Sequence, residues 1–160
     1  ADSDALVTAA AARALALPGV GDDPGVDPFL EHTMNADDPA TRAAAAVAII
    51  RRGATGLALA VEGLFSRGDD RVMTDVLQAL VDGGDPAFQG LITAGLKADL
   101  PLARESAVDA AAASCLPEHR KLMAGLLQDE DPHVAVRAAS ALYLLVGAGT
   151  PGAKTPSASK

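Results

Sequence analysis

The chain has no tryptophan, one tyrosine, three phenylalanines and one cysteine, and each shortage narrows what it can be. A lone Cys115 permits no intramolecular disulfide and no cysteine-based zinc set. The scarcity of aromatics and the absence of period-two β-branched runs leave nothing that reads as a sheet. Apolar runs are short: the longest candidate, Leu142 to Val146, is far below what spans a bilayer, so no membrane insertion is expected. Basic residues are outnumbered, 13 Lys and Arg against 21 Asp and Glu, for a formal charge of -8. Nucleic-acid affinity comes mainly from cations neutralising phosphates, so no nucleic-acid partner is expected.

What is abundant is small and apolar. Nearly half the residues are hydrophobic, and alanine is the commonest of them. Alanine has the best helix propensity and takes little room at a helix crossing. One domain of packed helices accounts for this composition in 160 residues.

The chain also repeats itself with a period of 31 residues from about Asp38 to Tyr143. Asp38-Pro39, Asp69-Asp70, Leu100-Pro101 and Asp131-Pro132 open successive units, and Leu64-Phe65 superimposes on Gly95-Leu96 and Leu126-Leu127. A fixed period in this range marks a stacked repeat architecture. Turn and cap signals predict nine helices, four pairs and a terminal half. The first pair is Asp4 to Leu17 and Pro28 to Asn35. The second is Pro39 to Arg52 and Leu57 to Arg67, and the third Arg71 to Val81 and Pro86 to Ala98. Pro101 to Cys115 and Pro117 to Gln128 make the fourth, before a final helix from Pro132 to Val146. The inward faces of the first helices read Ala45, Ala46, Ile49 and Ile50; Val76, Leu77, Leu80 and Val81; Ala107, Val108, Ala111 and Ala112; and Ala138, Ala139, Leu142 and Tyr143. That spacing is one buried stripe per helix. The second helices are expected to bury Ala60-Val61 with Leu64-Phe65, Leu91-Ile92 with Leu96, and Leu122-Met123 with Leu126-Leu127.

The segment Asp131-Pro132-His133-Val134-Ala135-Val136-Arg137-Ala138-Ala139 resembles the first helix of a HEAT-type repeat, especially the short bacterial form also found in phycobilisome-lyase-like proteins. Asp38-Pro39-Ala40-Thr41-Arg42-Ala43 and Leu100-Pro101-Leu102-Ala103-Arg104 resemble the same pattern. Arginine follows the proline by three residues in Arg42 and Arg104 but by five in Arg137, and the third unit has Asp70 in place of the proline. The resemblance implies an all-α fold: an α-solenoid of stacked antiparallel helix pairs, about four and a half repeats, over residues 1–146, with 147–160 as a disordered tail. It further implies a non-enzymatic scaffold or adaptor that binds another protein through its concave face. A lyase or lyase-subunit role, or a structural accessory subunit of a larger complex, is the alternative.

Carried through the repeat, the concave column holds Glu31, His32 and Asn35; Leu59, Glu62, Gly63 and Ser66; Thr93 and Lys97; and Lys121, Gly125 and Gln128. Small residues run down its centre with polar ones beside them, a shallow groove suited to a basic or helical protein segment. Gly63 and Gly125 either keep the groove open or permit close packing inside the protein, since glycine within a helix costs about 1 kcal/mol relative to alanine. Asp38, Asp69, Asp70 and Asp131 recur between units and predict either an acidic edge or helix caps. Asp22, Asp23 and Asp27 lack the spacing of a calcium loop. His32, His119 and His133 do not converge; His119 falls in the register of Leu57 and Phe88 and is expected to pack, and Cys115 to line a turn or lie buried. No metal, cofactor or catalytic residue is expected. The chain begins at Ala1 rather than methionine, which fits initiator removal, signal cleavage or a cut from a longer protein; a cytoplasmic setting is the first expectation, export after signal cleavage the alternative.

Overall fold

A computed structural model describes residues 3–17, 23–82 and 85–148. Among them every regular element is helical. Helices α1 (Ser3–Leu15), α3 (Pro39–Arg52), α5 (Asp70–Val81), α7 (Pro101–Ser114) and α9 (Pro132–Ala148) alternate with the shorter α2 (Val26–Thr33), α4 (Ala58–Phe65), α6 (Gln89–Gly95) and α8 (Pro117–Gly125). Asp22, Gly83, Gly84 and residues 149–160 of the expected disordered tail lie outside the described residues, while Gly147 and Ala148, expected in that tail, belong to α9.

The long helices pack in sequence, α1 on α3, α3 on α5, α5 on α7 and α7 on α9. Alanine makes this possible. Ala43, Ala45, Ala46 and Ala48 of α3 and Ala103, Ala107, Ala110 and Ala111 of α7 are fully buried, and small side chains let two backbones approach closely. The larger Val72, Val76 and Leu77 of α5 fill the space between them. Helix α2 packs on α3, α6 against both α5 and α7, and α8 against both α7 and α9, while α4 touches α5 and α6. Val61, Leu64, Phe65, Leu91, Ile92, Leu96 and Met123 carry the apolar side of the short helices into the common core.

The short helices differ from expectation at their ends. Tight 3₁₀ turns at Thr55–Leu57 and Pro86–Phe88 precede α4 and α6, and another at Leu126–Gln128 follows α8. Thr55-Gly56 and Asp85-Pro86 are turn formers, and the bonds Leu57 N–H to Ala54 C=O and Phe88 N–H to Asp85 C=O close those turns before the α-helix begins. Leu127, expected inside, is 41% exposed, because the final 3₁₀ turn rotates it off the α8 face.

The other departure concerns α9. Its buried residues are Val134, Ala138, Ala141 and Leu145. Ala139, read as inward, is exposed, and Tyr143 is 79% exposed. In α3, α5 and α7 a wide stripe is needed because a long helix packs on each side. Helix α9 has a long neighbour on one side only among the described residues, so a narrow stripe suffices, and Val136, Tyr143, Leu144 and Val146 face outward.

Two glycine classes emerge. A β-carbon on Gly63 or Gly125 would meet nothing within 4 Å, whereas one on Gly95 would lie 2.8 Å from the Ala107 β-carbon and 2.9 Å from Leu77 Cδ1. The alternative that Gly63 and Gly125 permit close packing is therefore overturned: Gly95 does so, letting α6 approach α5 and α7. Gly95→Ala should destabilise the fold by about 1 to 3 kcal/mol through overpacking, while Gly63→Ala should stabilise it by about 0.5 to 1 kcal/mol. Urea unfolding of the two variants checks both signs.

Candidate interaction face

The turns that join one helix pair to the next are fastened by arginines in the first turn of a long helix. Arg42 donates from Nη1 to the carbonyls of Ala36 (2.8 Å) and Asp37 (2.7 Å), and from Nη2 to the Asp69 carboxylate before α5. Arg104 repeats the arrangement, donating to the carbonyls of Ala98 (2.9 Å) and Asp99 (2.8 Å). Its Nε and Nη2 then grip both oxygens of Asp129 at 2.8 and 2.7 Å. The Arg104–Asp129 pair is buried and bidentate, the strong form of a charge-assisted contact. The Arg104 hydrogen bond holds the Asp129 carboxyl below its ordinary pKa.

The acidic edge is largely committed to these turns. Asp38 accepts from the Thr41 amide and hydroxyl, which lower its pKa. Asp69 caps α5 through the amides of Arg71 and Val72. Burial pushes the Asp69 carboxyl up, but its bonds to Arg42 and Val72 bring it down on balance. Asp131 accepts from the His133 amide at 2.8 Å. Asp70 stands exposed in the first turn of α5.

Of the predicted column, Glu31, His32, Asn35, Leu59, Gly63, Ser66, Lys97, Lys121, Gly125 and Gln128 are exposed, and Glu62 is half-buried. The structure brings Glu31, Asn35 and Gly63 together around a shallow depression of about 240 Å³ between α2 and α4, floored by Met34 and Leu64. Arg67 Nη2 reaches Asn35 Oδ1 across it at 3.4 Å. Ser66 and Lys97 meet at a second depression, between α4 and α6. Gly125 proves to be the last residue of α8 rather than an interior one.

Thr93 belongs elsewhere. Its Oγ1 lies 3.4 Å from Nε2 of His119, whose Nδ1 is 2.7 Å from Ser114 Oγ. Ser114 Oγ also donates to the Ala111 carbonyl at 2.8 Å. A hydroxyl has one proton to give, so the arrangement that satisfies every group has Nδ1–H donating to Ser114 and Nε2 accepting from Thr93. His119 is thus a neutral core residue joining α6, α7 and α8, as its repeat register suggests, and burial lowers its pKa. Cys115 is exposed rather than buried; it ends α7 in a left-handed conformation, φ 53°, the place Gly53 takes after α3 at φ 65°.

Among the described residues no three His, Cys, Asp or Glu side chains group as metal ligands, and no helix is long and apolar enough to cross a membrane. No protein-family model matches the chain, and no curated protein matches it. Sequence reasoning missed the arginine fastenings, although Arg42 and Arg104 share one register position; the signal present was that shared position.

Asp129→Ala should cost about 1.5 to 3 kcal/mol, because the buried Arg104 guanidinium loses both carboxylate bonds and keeps only its two turn carbonyls and the more distant Glu130 carboxylate. Asp82→Ala, which breaks the exposed Arg51–Asp82 pair, should cost no more than about 1 kcal/mol. Denaturant unfolding at neutral pH distinguishes them.

The two buried groups also set pH windows. His119 resists protonation in the folded state, so the unfolded chain binds the proton first; stability is full above about pH 6.5 and is lost as pH falls through the lowered folded value. His119→Leu should flatten the melting-temperature profile in that window. The Asp129 contribution, by the same sign, persists there and disappears only at more acid pH, below the ordinary aspartate range.

Proposed function

We propose that the chain is a non-enzymatic scaffold or adaptor, an α-solenoid of HEAT-like repeats that binds another protein along the exposed side of its short helices. The observation that carries this reading is the coincidence of a 31-residue sequence period with long helices that pack each on the next, leaving α2, α4, α6 and α8 with open small-residue positions at Gly63 and Gly125. Each unit of such an array buries its apolar side against its neighbours, so the outer side is free to vary with the partner. The depression at Glu31, Asn35 and Gly63 is shallow and mixed in polarity, which suits a polypeptide segment better than an enclosed small molecule. The net charge of -8 favours a partner with basic residues.

A second reading, a structural subunit of a larger assembly, draws on α9. Tyr143, Leu144 and Val146 near its C-terminal end, with Val136 two turns before them, are each at least 66% exposed, and exposed apolar side chains gathered on one helix are a common feature of docking surfaces.

Affinity purification from the native cell, with the wild-type chain and a Gly63→Gln/Gly125→Gln variant side by side, tests the scaffold reading. A recurrent protein partner recovered with wild type should be depleted with the variant, while the melting temperature holds or rises, because neither glycine has a neighbour to overpack. Equal recovery would move the contact away from the short helices and toward the α9 surface.

A further inference from the structure

Among the described residues the long helices form a row whose two ends are α1 and α9. Bonds between their ends fix their direction. Thr41 meets Ala5 at the N-terminal ends of α3 and α1, Arg42 meets Asp69 at those of α3 and α5, and Arg51 meets Asp82 at the C-terminal ends of α3 and α5, so these three helices run parallel. The side of α9 away from α7 is open: Val136, Ala139 and Tyr143 are exposed there, opposite the buried Val134, Ala138 and Ala141. The residues one, two and three periods before each of the three exposed ones are all buried or half-buried, Ile50, Val81 and Ala112 in the case of Tyr143. Leu144, by contrast, matches Arg51, Asp82 and Ala113, which are exposed too. Exposure at Val136, Ala139 and Tyr143 is thus peculiar to α9, and it marks the side on which the row would take another helix.

The opposite end offers the counterpart. Val134, Ala138 and Ala141, at i, i+4 and i+7, are the stripe that α9 buries on the side of its long neighbour α7. Val7, Ala11 and Ala14 of α1 have the same spacing and the same residue types in the same order, yet all three are exposed. Setting Val7 on Val134 also sets Ala9, Ala12 and Ala16 on Val136, Ala139 and Tyr143. Those residues of α1, on the side of its long neighbour α3, are buried or half-buried. Each end helix therefore covers the stripe that the other leaves open.

We propose that copies of this chain associate end to end, the open side of α9 at Val136, Ala139 and Tyr143 packing on the open side of α1 at Val7, Ala11 and Ala14 of the next copy. The contact continues the parallel packing of α1 on α3 and α3 on α5, with the bulk of Tyr143 set against alanines as the larger side chains of α5 are set against those of α3 and α7. It rests on the reading of the chain as a subunit of a larger assembly and names the partner as a second copy. Residues 149–160 contain no Leu, Ile, Val, Met or aromatic residue, so they supply no side chain suited to cover α9 instead. A row of repeats stays soluble as a single unit when its terminal helices turn a polar face outward, and here both outer stripes are apolar. Because the two surfaces differ, the association is heterologous and does not close at a dimer. One helix seam is small beside the roughly 800 Å² per partner of a standard interface, so assembly is weak and depends on concentration.

Sedimentation velocity of the full chain, from low micromolar to near-millimolar concentration, tests this. The weight-average mass should climb from the 16.0 kDa of one chain past that of a dimer without levelling there. Val7→Lys and Tyr143→Lys change side chains that are 69% and 79% exposed, so each should keep the wild-type melting temperature and remain a monomer. Their equimolar mixture should form a one-to-one dimer that grows no further, because Tyr143→Lys brings an intact α1 side and Val7→Lys an intact α9 side. Should either lysine variant melt lower, Ala11→Glu and Ala139→Glu take their places in the same mixing experiment. A wild type that is monomeric throughout or stops at a dimer, a Val7→Lys chain that dimerises alone through α9, or a mixture that stays monomeric would overturn the proposal. The subunit reading has a separate readout in affinity purification from the native cell. If wild type is monomeric but recovers a protein that Tyr143→Lys loses, that reading stands and self-association alone fails.

Discussion

The structure depends on how closely the long helices can approach one another. The alanine faces of α3 and α7, with no exposed surface at Ala43, Ala45, Ala46, Ala48, Ala103, Ala107, Ala110 or Ala111, leave room for the bulkier valines and leucines of α5 between them. Close backbone approach places many atoms in contact range without large side chains, and dispersion summed over such a seam is substantial even though each pair is weak. This explains how a chain with almost no aromatic residues still encloses a continuous core. It also explains why Gly95 matters: α6 is pressed so near α5 and α7 that one added methyl would collide with Leu77 and Ala107.

A seam of alanines fixes distance but offers little that is directional. The polar contacts supply direction, and they lie at the helix ends. Aspartates cap α3, α5 and α9, arginines tie the turn before one long helix to the turn before the next, and His119 joins three helices through two hydroxyls. Buried hydrogen-bonded charges tolerate few alternative geometries, because a misplaced partner leaves an unsatisfied ion. The acidic residues between units are therefore first of all part of the fold.

The same division bears on function. The groups that a catalytic reading would single out are occupied: Ser114 and His119 hydrogen-bond each other inside the core, and the Cys115 thiol points to the Ala112 carbonyl at a helix end. The surface with room to differ from unit to unit is the exposed side of the short helices, together with the outer face of α9. Both are the surfaces that the proposed scaffold or subunit role would use.

The sequence by itself determined the helical class, most of the buried stripe and the repeat period, because propensity, caps and apolar spacing act over one or two turns and are written locally. Pro39, Pro101, Pro117 and Pro132 all mark helix starts, as their missing N–H dictates. Even the burial of His119 followed from its register with Leu57 and Phe88. Tertiary structure alone decided which residues of a stripe are covered, since Ala139 matches buried positions in the other units, and Tyr143 buried or half-buried ones, yet both face outward on a helix with a long neighbour on one side only. It alone decided that Thr93 turns toward His119 and that Asp69 and Asp129 answer Arg42 and Arg104 from 27 and 25 residues away. Such pairings depend on where separate turns come to rest in space, which the packing of the long helices sets and no local pattern encodes.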